Sequence, residues 1–366
     1  MMSNATKAPA GWGFLALELD GATGGAAGGG TAGGPALAAA VLAAESAGFH
    51  ALTFRDSPEA GRLNALQRAA FAGPLTRSIA LIPEVGTAYT EPFQVSTQLA
   101  SLDYVTGGRA GWIATADDDR AAAAAVGRRH VTGAGLAREA AASIEVSRRL
   151  WDSWEDDAVI RDVASGRYVD AGKLHYADFD GPGYSVKGPS IIPRPLQGQV
   201  PVLVPASLTG DGLVEPTAVD AVLVSAPTPE LVADEVREVR ERLGGRAAPA
   251  VVVELDVVLD ARGQSAAQRL AGVDLPGVQP AGAERARFAG SPAALADLLT
   301  ELLEVADGVR LHPAGLAVDL EELSRLVLPE LRRRGVLAPV PLDGTLRDML
   351  GLERPASRYA ATAVGN

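Results

Sequence analysis

The sequence predicts an α/β fold, a closed barrel of eight parallel strands with a helix after each, and three observations predict it. Short apolar strand-like runs alternate with helical runs along most of the chain. Eight such strands are counted before the alternation ends, the number that closes a (βα)8 TIM barrel. No internal repeat and no linker divides the 366 residues, so one domain over 1–366 is expected.

Trp12 to Leu19 reads as a buried strand, followed by a glycine-rich stretch from Gly21 to Gly34 and a helix from about Pro35 to Ala47, whose proline suits a first turn. Ala51–Phe54 is a second strand ending near Asp56, Asn64–Leu75 a second helix, and Ile79–Val85 a third strand. Phe93 to Tyr104 is helical, and Thr106-Gly107-Gly108 turns the chain into a fourth strand near Arg109–Thr115. Asp117, Asp118 and Asp119 precede Ala121–Ala125, a carboxylate-rich helix start rather than a metal cluster. Gly135 to Trp154 is a long helix, after which residues 155–199, rich in Gly, Pro and Asp, form an insertion. The pattern resumes with strands at Val202–Pro205 and Ala221–Ser225, then Thr228-Pro229 capping a helix to Leu243. Val251–Leu259 is the seventh strand, Ser291-Pro292 opens a helix to about Val305, and Val309–Leu311 is the eighth strand. Asp319 and Glu322 form a capping-box-like start to the last long helix, and an extended tail begins at Leu337.

Composition narrows the function. With 33 basic and 45 acidic residues the chain carries −12, a balance that repels phosphate backbones and anionic lipid, so neither nucleic acid nor a membrane is an expected partner. Zero cysteines exclude disulfides, thiolate nucleophiles and cysteine metal sites, and four histidines are the only imidazoles, so no metal is expected. No apolar run of about 18 residues is present, and a cytoplasmic protein is expected.

Familiar motifs are few. Gly28, Gly30 and Gly33 satisfy G-x-G-x-x-G between a strand and a helix, and Asp56 stands 23 positions after Gly33, where a ribose-binding acid sits in dinucleotide folds. That NAD(P)-dependent dehydrogenase reading is the weaker one, because the glycines begin well past the strand. There is no phosphate loop ending in G-K-[ST], no H-E-x-x-H and no G-x-S-x-G elbow.

The stretch TAYTEPFQVSTQLASLDYVTGGRAGW at Thr87–Trp112 resembles the bacterial-luciferase-like flavin monooxygenases, especially the nitrilotriacetate monooxygenase component A branch. LWDSWEDDAVIRDVASGRYVD at Leu150–Asp170, GPSIIPRPLQGQVPVLV at Gly188–Val204 and LPELRRRGVLAPVPLDGTLRDMLGLERP at Leu328–Pro355 extend the resemblance in the same order. It implies a dimeric barrel that takes reduced FMN from a separate NAD(P)H-dependent flavin reductase and, with oxygen, places one oxygen atom on a small organic substrate. The ring would lie at the carboxyl ends of the strands, with the phosphate on backbone N–H and hydroxyl donors and water kept out.

Position by position, the resemblance puts Asp56, Thr87 and Thr115 near the flavin and Thr209 with Gly210 at its phosphate, while Glu84, His130 and Tyr89 are the catalytic candidates for proton traffic or substrate orientation. The bland readings are a helix cap for Asp56, a packed aromatic for Tyr89, a turn residue for Thr209 and a surface or packed histidine for His130. Departures concentrate at the same site. The family's histidine and Trp-Arg pair after strand one is missing, Pro83-Glu84 replaces a small residue and a threonine, Ala116 replaces a serine, Leu136-Ala137 replaces Arg-Tyr, and Pro205 replaces a glutamine. A carboxylate at position 84 needs a partner or a proton. Losing four or five hydrogen bonds of about 0.5–1.5 kcal/mol each weakens binding by several factors of ten. The alternative is therefore a cofactor-free homologue, a subunit or binding protein that keeps the barrel without the flavin.

Overall fold

The computed structural model describes residues 13–20, 34–56, 63–181, 183–210, 212–244, 249–271, 285–337 and 339–360. Strands β1 (Phe14–Glu18), β2 (Ala51–Phe54), β3 (Ala80–Gly86) and β4 (Trp112–Thr115) form the first half of a parallel sheet. Two antiparallel hairpins follow, β5 (Val159–Asp162) with β6 (Arg167–Val169) and β7 (Phe179–Asp180) with β8 (Ser185–Val186), so the predicted insertion at 155–199 consists of small ribbons outside the regular alternation. Strands β9 (Val202–Pro205), β10 (Ala221–Val224), β11 (Ala250–Leu259) and β13 (Gly308–Pro313) complete the barrel. β4 pairs with β9, β10 with β11, and β13 closes the ring onto β1, every pairing parallel. The eight-stranded barrel is thus as predicted. A further strand, β12 (Arg287–Gly290), which the sequence reading missed, pairs with the outer half of the ten-residue β11.

Period-two alternation decides which side chains enter the barrel. Leu15, Leu17, Leu52, Phe54, Leu81, Trp112, Val222 and Val253 face the surrounding helices in one continuous core. Phe14, Ala51, Ala80, Ala221 and Ala250 face inward at the amino ends, and Ala16, Ile82, Ile113, Leu203, Leu223 and Val252 complete the apolar interior. Mixing alanine with branched residues lets layers from facing staves interlock in a narrow bore.

The tail expected from Leu337 carries one short helix. Thr345 caps a short helix, Leu346–Met349, in a capping box with Asp348, and the fully buried Leu346 enters the amino end of the barrel with Met349 and Leu350 beside it. Gly111 is required there, since a Cβ would lie 2.5 Å from Leu346 Cδ2 and 3.2 Å from Ile82. Arg347 fixes the plug through Asp220 at 3.0 Å and the Gln199 carbonyl at 3.0 Å.

Two predicted caps are also revised. Asp119 does cap its helix, accepting from the Ala121 and Ala122 amides at 2.8 and 2.9 Å. Asp319 does not begin a helix: it lies inside Leu316–Glu322, fully buried, accepting from the Gly315 and Leu259 amides. Thr228 occupies its N-cap position without a side-chain bond to the helix amides.

Candidate active site at the carboxyl end of the barrel

The upper layer of the barrel is polar. Glu18 (β1), Thr53 (β2), Glu84 (β3), Glu254 (β11), and Arg310 and His312 (β13) all lie on inward positions that are apolar lower in the same staves. Arg310 is the hub. Its Nε donates to Thr53 Oγ1 at 2.9 Å, Nη1 to Glu254 Oε1 at 2.9 Å, and Nη2 to Glu18 and, at 3.4 Å, to Glu84 Oε2. Thr53 donates onward to Glu18 at 2.7 Å, Ser225 to Glu254 at 3.0 Å, and His312 Nε2 lies 3.2 Å from Glu254.

One guanidinium therefore serves three carboxylates, and it does so unequally. Burial alone would raise Glu18, yet Arg310, His312 and two hydrogen bonds bring it down to about 2. Glu254, half-buried, is held below the usual carboxylate range by His312, Arg310 and Arg285. Glu84 goes the other way: burial raises it to about 7, with Glu18 and Glu254 adding to the rise and Arg310 and Arg55 only partly opposing it. His312 is lowered by burial and by the Arg310 and Arg285 cations. The result is a floor with one proton-carrying carboxyl near neutrality, the residue type and environment from which acid and base groups are made.

The other sequence-chosen residues fall into separate places. Thr87 and Thr115 are adjacent, the Thr87 hydroxyl and amide both donating to the Thr115 carbonyl at 2.8 Å. Beside them Gly86 leaves an opening: among the described residues an added Cβ would meet only Thr115 Oγ1, at 3.9 Å. Gly86 and Glu84 share the inner face of β3, so Glu84, Gly86 and Thr115 form one surface. Tyr89 accepts from the Val131 amide at 3.0 Å, which brings the loop after β3 to the segment carrying His130. His130 itself pairs with Asp118 at 2.5 Å. Asp56 accepts from the Asn64 side chain at 2.8 Å, and Asn64 caps the helix Ala65–Ala72. Thr209 donates to the Ala206 carbonyl within its own turn at 2.8 Å and meets Arg242 at 3.3 Å, with Gly210 ending that turn. Gly28, Gly30 and Gly33 lie outside the described residues.

Sequence reading missed Glu18, Glu254, Arg310 and His312. A signal was present: FLALE, VVVELD and VRLHP carry charges at alternating positions inside otherwise apolar strands, which places those charges on one face of a buried stave. A groove of about 440 Å³ bordered by Tyr104, Tyr168, Ile192 and Arg194 lies elsewhere and touches none of these groups.

A parallel eight-stave barrel with a polar, proton-bearing layer at its carboxyl end defines a barrel enzyme scaffold of the usual polarity. The chain belongs to the luciferase-like monooxygenase family, whose profile matches residues 19–326. It is 29% identical over 355 residues to N-acetyl-S-(2-succino)cysteine monooxygenase of Bacillus subtilis (strain 168), covering 78% of this chain and 80% of that one. Nitrilotriacetate monooxygenase component A of Aminobacter aminovorans is 28% identical over 356 residues, 78% of each chain. The fold superposes on EDTA monooxygenase from Chelativorans sp. BNC1 with a TM-score of 0.77 and 20% identity, covering 94% of this chain and 99% of that one. No helix among the described residues is long and apolar enough to cross a membrane.

The donor set suits a flavin ring. A reduced isoalloxazine presents acceptors and negative charge along one edge, and the Glu84–Gly86–Thr115 surface offers a hydroxyl and a carboxyl able to carry a proton, over a position that lacks a Cβ.

Proposed function

We propose that this chain is the oxygenase component of a two-component flavin-dependent monooxygenase. It would use reduced FMN delivered by a separate NAD(P)H:flavin reductase and act on a small organic substrate. Membership of a monooxygenase family supports this reading, and the observation that carries it is the place of Glu84, a half-buried carboxyl at the carboxyl end of the barrel beside the opening at Gly86, its proton affinity raised by its surroundings. When bound, the reduced flavin supplies the oxygen activation. The chain's own work is to bind and orient: Thr115 and Glu84 would face the ring, while Thr87 holds the Thr115 backbone in register. Glu84 would hold or release a proton at its carboxyl oxygen. Tyr89 and His130 would order the loops around the substrate, and the Thr209–Gly210 turn with Arg242 would stand at the phosphate. Asp56 supports the adjoining helix start through Asn64. By the same likeness the active form would be a homodimer, and a cysteine-free chain suits the cytoplasm.

The test is a titration with FMN and with reduced FMN, followed by oxygen consumption in the presence of an added flavin reductase. Saturable binding is expected, and Glu84→Gln should lower turnover about 100-fold while changing flavin affinity far less. Wild-type protein that binds neither form of the cofactor would overturn the reading.

A second reading, a cofactor-free homologue, is favoured by a specific feature. Arg310 already donates to four protein acceptors, the Thr209 hydroxyl proton is engaged within its own turn, and the floor holds two ionised carboxylates, Glu18 and Glu254, to one guanidinium. A like charge at 6 Å costs about 3 kcal/mol at an effective dielectric of about 20. This reading predicts an unchanged flavin spectrum throughout the same titration.

A further inference from the structure

We propose that Arg310 is a positioning residue shared unequally among three carboxylates on three staves, and that competition from Glu18 and Glu254 is what leaves Glu84 as the group that holds a proton at the barrel mouth. This inference rests on the reading of Glu84 as the proton-carrying side chain of the proposed oxygenase.

The geometry argues for it directly. Arg310 projects from β13, whose immediate neighbours in the sheet are β1 and β11. Glu18 and Glu254 stand on those neighbouring staves and reach the guanidinium at hydrogen-bonding distance, with Thr53 on its Nε. Glu84 belongs to β3, two staves beyond β1, and approaches Arg310 only to 3.4 Å. Its side chain is 15% exposed and that of Glu254 13%, against 3% for Glu18, so exposure sets Glu18 apart and the longer reach to Arg310 sets Glu84 apart. The ionisable groups acting on Glu84 are Glu18 from β1, Arg55 after β2, Glu254 from β11 and Arg310 from β13, with His312 held against Glu254; β4, β9 and β10 present Ile113, Thr115, Pro205 and Ser225, none of them charged. Two carboxylates that are better placed take most of the cation, and the third keeps its proton.

Removing either carboxylate takes a like charge away from Glu84 and frees Arg310 to turn toward it, so Glu18→Gln and Glu254→Gln should each make Glu84 a stronger acid. Arg310→Gln should make it weaker. The readout is the infrared band of the protonated Glu84 carboxyl, identified by its loss in Glu84→Gln and followed against pH in full-length protein without flavin. A downward midpoint shift of about one unit, a tenfold loss of proton affinity, is expected for Glu18→Gln, and an upward shift for Arg310→Gln. The isosteric Glu18→Gln leaves Arg310 two carboxylate partners, so it carries the test if Arg310→Gln fails to fold. A midpoint that stays put or rises in both Glu18→Gln and Glu254→Gln overturns the proposal. The band needs no cofactor, so failure to bind FMN would sink the oxygenase reading and leave this result standing, whereas flavin binding with no midpoint shift would do the reverse.

Discussion

At the scale of single residues, Glu84 has consequences for stability as well as for chemistry. Its folded value of about 7 lies above the ordinary 4.5, so the folded chain keeps a proton that the unfolded chain releases between those two pH values. Stability therefore falls as pH rises from about 4.5 to about 7, by about 3 kcal/mol at 1.36 kcal/mol per unit, and is level on either side of that window. Glu84→Gln removes this loss. Urea unfolding should show the variant close to wild type at pH 4.5 and more stable than wild type at pH 8. Equal differences at both pH values would mean that the group is not protonated in the fold.

At the scale of elements, the short helix Leu346–Met349 does more than its length suggests. Leu346 is fully buried against the inward residues of the staves, and its amide donates to the Gly108 carbonyl just before β4. Gly107, in the left-handed region at φ +68°, ends the preceding helix Pro92–Thr106 and turns the chain toward that contact. Truncating a leucine at such a site removes both its transfer energy and its contacts. Leu346→Ala should cost about 2–5 kcal/mol in chemical denaturation. A change below about 1 kcal/mol would show that the helix only rests on the barrel.

At the scale of the molecule, the barrel is closed differently at its two ends. The amino end is sealed by apolar side chains and tied by contacts that reach far along the chain: the ion pairs of Arg347 with Asp220 at 3.0 Å and Arg354 with Asp156 at 2.6 Å, and the stack of Tyr359 on His175 at 3.8 Å between centroids. The carboxyl end carries the charged floor. Deleting residues 345–366 should therefore raise binding of a hydrophobic dye and lower the thermal midpoint by roughly 10 °C, with the Glu84 infrared band still present. Loss of that band in a truncated protein that remains folded would mean that the two ends are coupled.

Alternation of apolar strands and helices along the chain determined the barrel, because each stave is apolar on its helix-facing side and at the lower inner positions, and each helix must cover one outer side. The fourth strand, expected near Arg109–Thr115, does begin its ladder there, the Leu81 amide donating to the Arg109 carbonyl at 2.9 Å, while the Arg109 guanidinium donates to the Thr76 and Thr106 carbonyls at 3.0 and 2.7 Å and anchors the turn below β4. β12 is not legible because its four residues, RFAG, are only partly buried and lack the apolar run that marks the equally short β2, β9 and β10. Glu84 was visible in the sequence as a charge in an apolar strand that required a partner or a proton. Its partner was not, because Arg310 lies 226 positions away and Glu18 meets Arg310 across 292. Period and composition are local properties and can be read from the chain alone. Which carboxylate keeps the proton depends on distances across a closed ring, and only folding brings those staves within a few ångströms of one another.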